Sequence, residues 1–272
     1  MWHIVEDSFM DSVRLIPFLF LTYLAMEYLE HRTQKVTRKL NGPVIGGLLG
    51  IVPQCGFSAA AANLYAGRVI TLGTLMAVYL STSDEMLPIL ISRQVPLDTI
   101  LYLLLAKAAV GIAAGLLIDF ILHRTGKEKQ GNIHDICEQE HCHCEKGIFR
   151  SALNHTVQIA FFLLIVTFAL NLLLHFVGED MLENLILGRP ILAPMLAGLV
   201  GLIPNCAGSV VITQLYLEGA MGVGAALAGL LAGSGVGLLV LFRVNHDRKE
   251  NLKILLLLYC IGVGTGIVAG LL

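Results

Sequence analysis

Long apolar runs separated by short polar stretches form the dominant pattern of the chain. Eight such runs can be marked, at about residues 13–30, 44–66, 69–92, 98–122, 153–176, 190–217, 220–242 and 252–272. Most are close to the roughly 20 residues that an α-helix needs to cross the hydrocarbon core of a bilayer. The pattern predicts an all-α integral membrane protein that crosses the bilayer several times.

The longest polar interruption, residues 123–150, divides the chain into near-equal halves that resemble each other. A shift of 151 residues places 47–67 on 198–218 without a gap and gives eight identities in 21 positions. The most informative matches pair a proline with a proline, a thiol with a thiol and an amide with an amide: Pro53 with Pro204, Cys55 with Cys206, Gln54 with Asn205, and Asn63 with Gln214. This periodicity predicts an internal duplication.

The duplication predicts three parts of the chain. They are a first membrane repeat at residues 1–124, a cytoplasmic His/Cys-rich linker at 125–150 and a second, inverted membrane repeat at 151–272.

The balance of basic and acidic residues in the short loops predicts the orientation. Residues 31–42 and 243–253 each carry four Lys or Arg residues, whereas residues 175–189 carry three acids against one arginine. Basic loops stay in the cytoplasm, so the first two loops are predicted to be cytoplasmic and the third to face outward. Both termini are then outside, and the loop 123–150 is cytoplasmic.

The number of crossings in each half requires an interrupted helix. Three apolar runs lie between residue 42 and the central loop, yet both ends of this stretch are predicted to be cytoplasmic. One run must therefore turn back or break, and 44–66 is the candidate because glycines and Pro53 weaken a continuous helix. The same argument applies to 190–217 with Pro204. The predicted fold is two inverted-topology repeats with broken or re-entrant helices at Pro53 and Pro204.

Polar residues at the two interruptions are the candidate substrate ligands, because irregular backbone at membrane depth is tolerated where it lines a cavity. The candidates are Gln54, Cys55, Ser58, Asn63, Asn205, Cys206, Ser209 and Gln214. Thiolates suit soft metals and trivalent arsenic, whereas amide oxygens suit Mn²⁺. In the simpler interpretation the cysteines are small apolar fillers and the amides cap helix ends.

Three charges lie well inside apolar runs, away from their ends. Asp84 and Glu85 lie in the run 69–92, and Lys107 lies in the middle of the next run. Acids at such depth are costly and usually face a cavity or a partner. A carboxylate that binds a cation and a proton in turn would couple metal export to proton entry. A static ion pair between two helices is the alternative.

The central loop carries a dense set of metal-ligating side chains. They are Cys137, His141, Cys142, His143 and Cys144. Imidazole and thiolate are the usual ligands of Zn²⁺ and related ions, so the loop is predicted to bind such a metal. Its spacing differs from the paired Cys-x-x-Cys pattern of a closed structural site. In the simpler interpretation the loop is a flexible tether.

Two small-residue motifs are predicted to be packing faces. They are GLLAGSGVG at residues 229–237 and GVGTGIVAG at residues 262–270. Neither has the Lys-Ser/Thr or the strand-to-helix context of a phosphate-binding loop. Glycine and alanine allow membrane helices to approach closely.

Composition agrees with a membrane protein and excludes a nucleic-acid partner. Hydrophobic residues make up 56% of the chain and charged residues only 14%, against about 25% charged residues in soluble domains. The net charge of −2 gives no basic surface for nucleic acid. The lipid bilayer and a small ion are the predicted partners, and a homodimer is left open.

The motifs PQCGFS and PNCAGS, the stretch NLYAGRVITLGTLMAVYLSTSDEMLPIL and the His/Cys-rich loop together carry a family resemblance. The chain resembles the bacterial ten-helix heavy-metal exporters, a family also labelled as arsenic efflux proteins or manganese transporters. The similarity covers essentially the whole chain. It implies an exporter in the bacterial inner membrane, and ten helices agree with the count above if each broken segment is counted as two.

The sequence therefore predicts a secondary active transporter that exports a Mn, Zn or arsenite-class ion with proton coupling. The alternative is a carrier for a small organic or inorganic anion, in which Arg68, Arg93 and Lys107 would matter more than the acids. A passive channel is a third reading. A thiol-dependent membrane enzyme is disfavoured because no motif places a base beside Cys55 or Cys206. No resident cofactor is predicted besides the transported ion and a Zn-type ion in the central loop.

Overall fold

The computed structural model describes residues 42–52, 55–83, 86–125, 192–204 and 206–271, with isolated residues in 16–24 and 153–168. Most of these residues are helical, and no strand occurs among them. An all-α fold is thereby confirmed for the described part of the chain. Pro53, Gln54, Asp84, Glu85, Asn205 and the His/Cys-rich loop lie outside the described residues.

The first half contains five described helices. They are α1 (Gly42–Gly50), α2 (Cys55–Ala66), α3 (Leu72–Ser81), α4 (Met86–Ser92) and α5 (Leu97–Thr125). Helix α3 has a side-chain cap, because Thr71 accepts a hydrogen bond from the backbone N–H of Thr74 at 3.1 Å. Such caps satisfy an N–H group that has no partner inside the helix.

The second half repeats this order at the same interval. Its helices are α6 (Leu192–Gly201), α7 (Cys206–Leu217), α8 (Val223–Ala232), α9 (Gly237–Val244) and α10 (Arg248–Leu271). Helices α7, α8 and α10 begin 151 residues after α2, α3 and α5, respectively. Pro204 lies between α6 and α7, outside both helices. The interval found in the sequence therefore also describes the succession of helices.

Three stretches are long and apolar enough to cross a membrane. They are Leu97–Thr125, Val223–Val244 and Arg248–Leu271. The most apolar part of Val223–Val244 is 83% buried inside the protein, against 33% and 28% for the other two. The segment formed by α8 and α9 is therefore central, whereas α5 and α10 expose apolar side chains at the periphery, as lipid-facing helices do.

Glycine allows α3 and α5 to cross at close range. A methyl group built on Gly73 would overlap the carbonyl oxygen of Gly115, and the reverse substitution would meet Gly73. Gly224 and Gly266 form the same contact between α8 and α10. Both crossings are antiparallel, and the packing role predicted for residues 262–270 is confirmed by this contact.

Helix α1 lies beside α3 and runs in the same direction. A methyl group on Gly42 would meet Thr74 near the start of α3, and one on Gly50 would meet Ser81 at its end. Only residues 67–71 separate the end of α2 from the start of α3. The chain therefore doubles back between α1 and α2, because both the start of α1 and the end of α2 lie near the start of α3.

The halves interlock around one hydrophobic core. Helix α2 packs against α9 of the other half, and α7 packs against α4. Ser58 of α2 lies beside Gly237 at the start of α9. Arg68 after α2 pairs at 2.7 Å with Glu250, in the first turn of α10, which follows α9. Helices α2 and α9 thus run in the same direction.

The structure adds interruptions that were not predicted. The predicted interruptions were those in 44–66 and 190–217, but α3 also ends at Ser81 within the run 69–92, and α8 ends at Ala232 within the run 220–242. The packing role predicted for residues 229–237 is confirmed at both ends of the motif, because Gly229 packs against α6 and Gly237 packs against Ser58 and Tyr79. Between them, the residues after Ala232 form a turn in which Gly235 has a φ of 55°. Glycine adopts this left-handed conformation at little cost.

Candidate functional site

Four interruptions lie close to one another. Within the first half, Ser83 follows α3 and donates a hydrogen bond from its hydroxyl to the carbonyl oxygen of Ile51 at 2.6 Å. Ile51 directly follows α1, so this bond joins the gap between α1 and α2 to the gap between α3 and α4. In the second half, a methyl group on Gly233 would lie 3.7 Å from the carbonyl oxygen of Gly201. The corresponding gaps of that half are therefore also neighbours.

Lys107 joins the two halves at this point. Its ammonium donates to the carbonyl oxygen of Leu230 at 2.7 Å and to that of Thr82. Thr82 caps the end of α3, and Leu230 lies in the last turn of α8. Both carbonyls belong to helix C-termini, where the backbone carries partial negative charge and stabilises a cation. Lys107 is only 1% exposed, so these contacts hold a buried positive charge.

The start of α9 completes the meeting point. The hydroxyl of Tyr79 on α3 donates to the carbonyl oxygen of Gly237 at 2.9 Å. A methyl group on Gly237 would lie 2.8 Å from the Cβ atom of Ser58 and 2.9 Å from the Tyr79 ring. A side chain at this position would push α9 away from both α2 and α3, so glycine sets the close approach of the halves.

The two thiol positions are equivalent in the fold. Cys55 is the first residue of α2 and Cys206 the first residue of α7. Each therefore lies at a helix N-terminus that directly follows an interruption. The amides beside them, Gln54 and Asn205, lie outside the described residues, as do Asp84 and Glu85.

The remaining predicted ligands differ in how far they are buried in the two halves. Ser58 and Asn63 on α2 are fully buried, whereas their counterparts Ser209 and Gln214 on α7 are half-buried. The same polar pair is thus enclosed in one half and reachable in the other. The difference concerns the surroundings of the two helices, since their lengths are identical.

Comparison with protein-family models identifies the chain. A model described as "Putative, 10TM heavy-metal exporter" matches residues 1–167, 119–242 and 154–272, which together cover the whole sequence. The chain belongs to this family. No curated protein and no solved structure matches the chain significantly.

Family membership confirms the resemblance predicted from the motifs, and it agrees with the helical architecture. A ten-helix exporter is a multi-pass membrane protein, and the three apolar stretches of spanning length are consistent with that class. The family is one of transport proteins, which is the class expected from the sequence.

The described residues hold no ready-made metal centre. No group of three or more His, Cys, Asp or Glu side chains in this part of the chain is placed to hold a metal ion. What the described site does contain is backbone carbonyl oxygen at the ends of α3 and α8 and hydroxyl groups from Ser58 and Tyr79. Carbonyl oxygens at helix C-termini attract positive charge, and at present they bind an ammonium.

Several residues of the site were missed by the sequence analysis. They are Tyr79, Thr82 and Leu230, of which the last two act through backbone oxygen. Every residue type has a backbone carbonyl, so the sequence does not show which carbonyl oxygens accept such hydrogen bonds. A usable signal was nevertheless present, because STSDE at 81–85 aligns with AGSGV at 232–236 under the shift of 151 residues. Both are poor helix formers inside an apolar run.

Proposed function

We propose that the protein is a secondary active transporter that exports a heavy-metal or metalloid ion of the Mn, Zn or arsenite class. Export is coupled to protons, and the substrate binds between the interrupted helices. The observation that carries this proposal is the convergence of helix ends from both halves on the buried ammonium of Lys107. Such a point is where secondary transporters built from two repeats bind substrates and coupling ions.

The relative direction of the halves supports inverted topology. Helix α2 ends near the start of α3, and the Arg68–Glu250 pair places the end of α9 beside the end of α2. The span Val223–Val244 therefore ends at the face of the molecule where α3 begins. Since α3 and α8 are repeat equivalents, they run in opposite directions.

Inverted repeats provide a route to alternating access. If the two halves can exchange conformations, a site at their interface opens to one side of the membrane and then to the other. Helix α1–α2 and its equivalent α6–α7 are then re-entrant pairs around Pro53 and Pro204. This arrangement gives an even number of crossings between residue 42 and the central loop and an odd number in each half.

The proposed ligands lie on α2 and α7 and just before them in the chain. Cys55 and Cys206 would supply thiolate to a soft ion, and Gln54, Asn63, Asn205 and Gln214 would supply amide oxygen. Ser58 and Ser209 lie one turn further along the same helices. A site with both donor types is suited to borderline ions such as Zn²⁺.

Proton coupling is proposed for the charged set beside Lys107. Asp84 and Glu85 follow Thr82 by two and three residues, and Thr82 is hydrogen-bonded to the lysine ammonium. Chain connectivity therefore keeps both acids within a few residues of the buried charge. A carboxylate that releases its proton when a metal ion binds would exchange one cation for the other.

The proposed location is the bacterial inner membrane, with both termini outside. The His/Cys-rich loop would then lie in the cytoplasm, and its thiol and imidazole groups, Cys137, His141, Cys142, His143 and Cys144, would collect Zn²⁺ or a similar ion near the entrance.

Flux measurements on proteoliposomes containing a pH-sensitive dye test the proposal. The variants are Glu85→Gln, Asp84→Asn and the double variant Cys55→Ser/Cys206→Ser. Asp98→Asn is the matched carboxylate control because Asp98 is exposed at the start of α5. Cys260→Ser is the matched thiol control because Cys260 is exposed on α10.

Proton movement that requires Mn²⁺, Zn²⁺ or arsenite, and that is lost in the carboxylate variants but not in Asp98→Asn, is the expected result. Loss in the thiol double variant alone would indicate a soft substrate. Absence of any metal-dependent signal from correctly folded protein would contradict the proposal. Flux of an organic or inorganic anion would then support the alternative carrier.

A further inference from the structure

An ion-pair cluster lies at the end of α2. The Arg68 guanidinium binds the Glu250 carboxylate through two parallel bonds of 2.9 and 2.7 Å. The Tyr65 hydroxyl donates to the same carboxylate at 2.5 Å, and the Arg68 guanidinium lies 5.2 Å from the centre of the Tyr65 ring. Paired bonds of this kind are among the stronger polar contacts in proteins.

Arg68 adopts a conformation that other residues avoid. Its φ is 57°, in the left-handed region that glycine tolerates better than residues with a Cβ atom. The equivalent position of the second half is Gly219, with a φ of 76°. The first half therefore places an arginine where the backbone favours glycine. Its carboxylate partner raises the pKa of Arg68 further above the ordinary value, so the pair stays charged.

The described residues of the second half form no equivalent cluster. Under the shift of 151 residues, Arg68 corresponds to Gly219, Glu250 corresponds to Thr99, and only the tyrosine is retained, as Tyr216. The cluster is thus absent at the described residues that occupy the equivalent end of α7. Among the residues that the structure describes, one end of the molecule is cross-linked by charge and its counterpart is not.

The cluster closes the seam between α2 and α9. This seam runs from Ser58 and Gly237 at the interruptions to Arg68 and Glu250 at the face of the molecule. The equivalent seam between α7 and α4 is less extensive. The burial of the polar residues on the two helices follows the same division, since the pair on α2 is enclosed and the pair on α7 is half-buried.

We infer that Arg68, Glu250 and Tyr65 form a one-sided lock that holds the seam between α2 and α9 shut. The inference rests on the proposed function, in which α2 and α7 line the substrate path. By the charge balance of residues 243–253, the lock is on the cytoplasmic side. The structure is then the outward-facing state, and opening toward the cytoplasm requires the carboxylate to leave the guanidinium.

Single-cysteine reporters on the two helices test the lock. Ser58→Cys reports on α2 and Gln214→Cys on α7, each in a chain whose six native cysteines are replaced by serine. A membrane-impermeant maleimide is applied to inside-out vesicles for the first reporter and to right-side-out vesicles for the second. No transported ion is added, so the measurement does not depend on the identity of the substrate.

Breaking the Arg68–Glu250 pair with Glu250→Gln should change the labelling rates of the two reporter cysteines in opposite directions. Labelling at position 58 should become about five- to tenfold faster, because the variant loses a charge-assisted contact. Labelling at position 214 should become slower, because opening one side closes the other. The exchange Arg68→Glu/Glu250→Arg should restore both rates. Glu218→Gln, the same chemical change on an exposed residue at the end of α7, should alter neither rate.

The tyrosines provide a matched pair with a smaller effect. Tyr65→Phe removes one hydrogen bond to Glu250 and should accelerate labelling at position 58 by about twofold to fivefold. Tyr216→Phe makes the same change at the equivalent position of the second half, where no such cluster is present. It should leave labelling at position 58 unchanged.

Tryptic cleavage after Arg68 is a second measurement on the chain with its native cysteines. Inside-out vesicles should be cleaved slowly there, faster with Glu250→Gln and at the native rate with Glu218→Gln. This result would support the lock even if the cysteine-free chain does not fold.

Faster labelling at both reporters would overturn the inference, because it would show general loosening in place of alternating access. Unchanged labelling at both positions would overturn it as well. Reciprocal labelling without any metal flux would preserve the lock and reject the proposed substrate. Metal flux without reciprocal labelling would preserve the proposed function and reject the lock.

Discussion

The two halves share one helical framework but carry different polar groups. Helix starts after the first interruption, crossing glycines and the positions of the interruptions are repeated at an interval of 151 residues. The buried charge and the capping carboxylate are not repeated. The first half contains Lys107 and Asp119 where the second contains Leu258 and Gly270.

This difference separates two requirements of the molecule. Packing between helices depends on small residues at a few crossing points, and these are retained in both halves. Chemistry at the meeting point needs only one ammonium, because Lys107 already reaches helix ends from both halves. A second buried cation nearby would add repulsion in a medium of low dielectric constant. Symmetric packing with asymmetric charge is therefore consistent with a single central site.

Replacing the buried Lys107 by leucine, the residue at the equivalent position of the second half, should have the largest effect on stability and flux. Lys107→Leu leaves the carbonyl oxygens of Thr82 and Leu230 without the ammonium, and we expect a loss of about 3 kcal/mol of stability. Flux in proteoliposomes should also be abolished. Thermal unfolding in detergent measures the first effect and the dye assay the second.

The control for this change is Leu258→Met at the equivalent position of α10. Leu258 is fully buried, and a swap of similar volume should cost less than about 1.5 kcal/mol. Equal effects of the two variants on both stability and flux would show that the buried charge has no special role.

The crossing glycines test the repeated part of the framework. Gly115→Leu and Gly266→Leu each drive a side chain into the opposing helix, and each should cost about 1–3 kcal/mol in thermal unfolding experiments. Gly264→Leu is the control, because nothing lies within 4 Å of a methyl group built there. Strongly unequal losses at the two crossings would mean that the halves are not packed equivalently.

Removing the capping carboxylate of Asp119 should have the smallest effect on stability. Asp119 accepts hydrogen bonds from the Thr71 hydroxyl at 2.6 Å and from the Gly73 backbone N–H at 2.8 Å. Asp119→Ala should therefore lower stability by about 1 kcal/mol, as the loss of a helix cap does.

The reciprocal substitution sharpens the same comparison. The N-cap residue of α8 is Gly222, which supplies no side-chain hydrogen bond, so Gly270→Asp should raise the unfolding temperature by supplying a cap. Gly270→Ala separates this gain from the general benefit of replacing glycine in a helix. If the aspartate variant is no more stable than the alanine variant, the first-half cap is not transferable.

Much of the framework could be predicted from the sequence. Apolar run length predicted the spanning class, and the repeat predicted matching interruptions at Pro53 and Pro204. Gly42–Gly50 and Cys55–Ala66 end and begin on either side of the predicted interruption. These features depend on local composition, which each segment carries by itself.

The site was predicted only in part. Lys107 could be identified because a charge inside an apolar run is costly and conspicuous. Its partners could not, since they are backbone oxygens whose role depends on where α3 and α8 end. The interruptions after Ser81 and Ala232 were also missed, because hydrophobic runs of spanning length conceal a short turn.

The sequence by itself determined the membrane class, the duplication and the family, because hydrophobicity, repeats and motifs are properties of residues in order. Tertiary structure decided which helix ends meet, which polar pair is enclosed and which end of the molecule is cross-linked. Arg68 and Glu250 lie 182 residues apart in the chain, and only the packing of α2 against α9 brings them together. Contacts between distant segments depend on the geometry of the whole assembly, which no local pattern encodes.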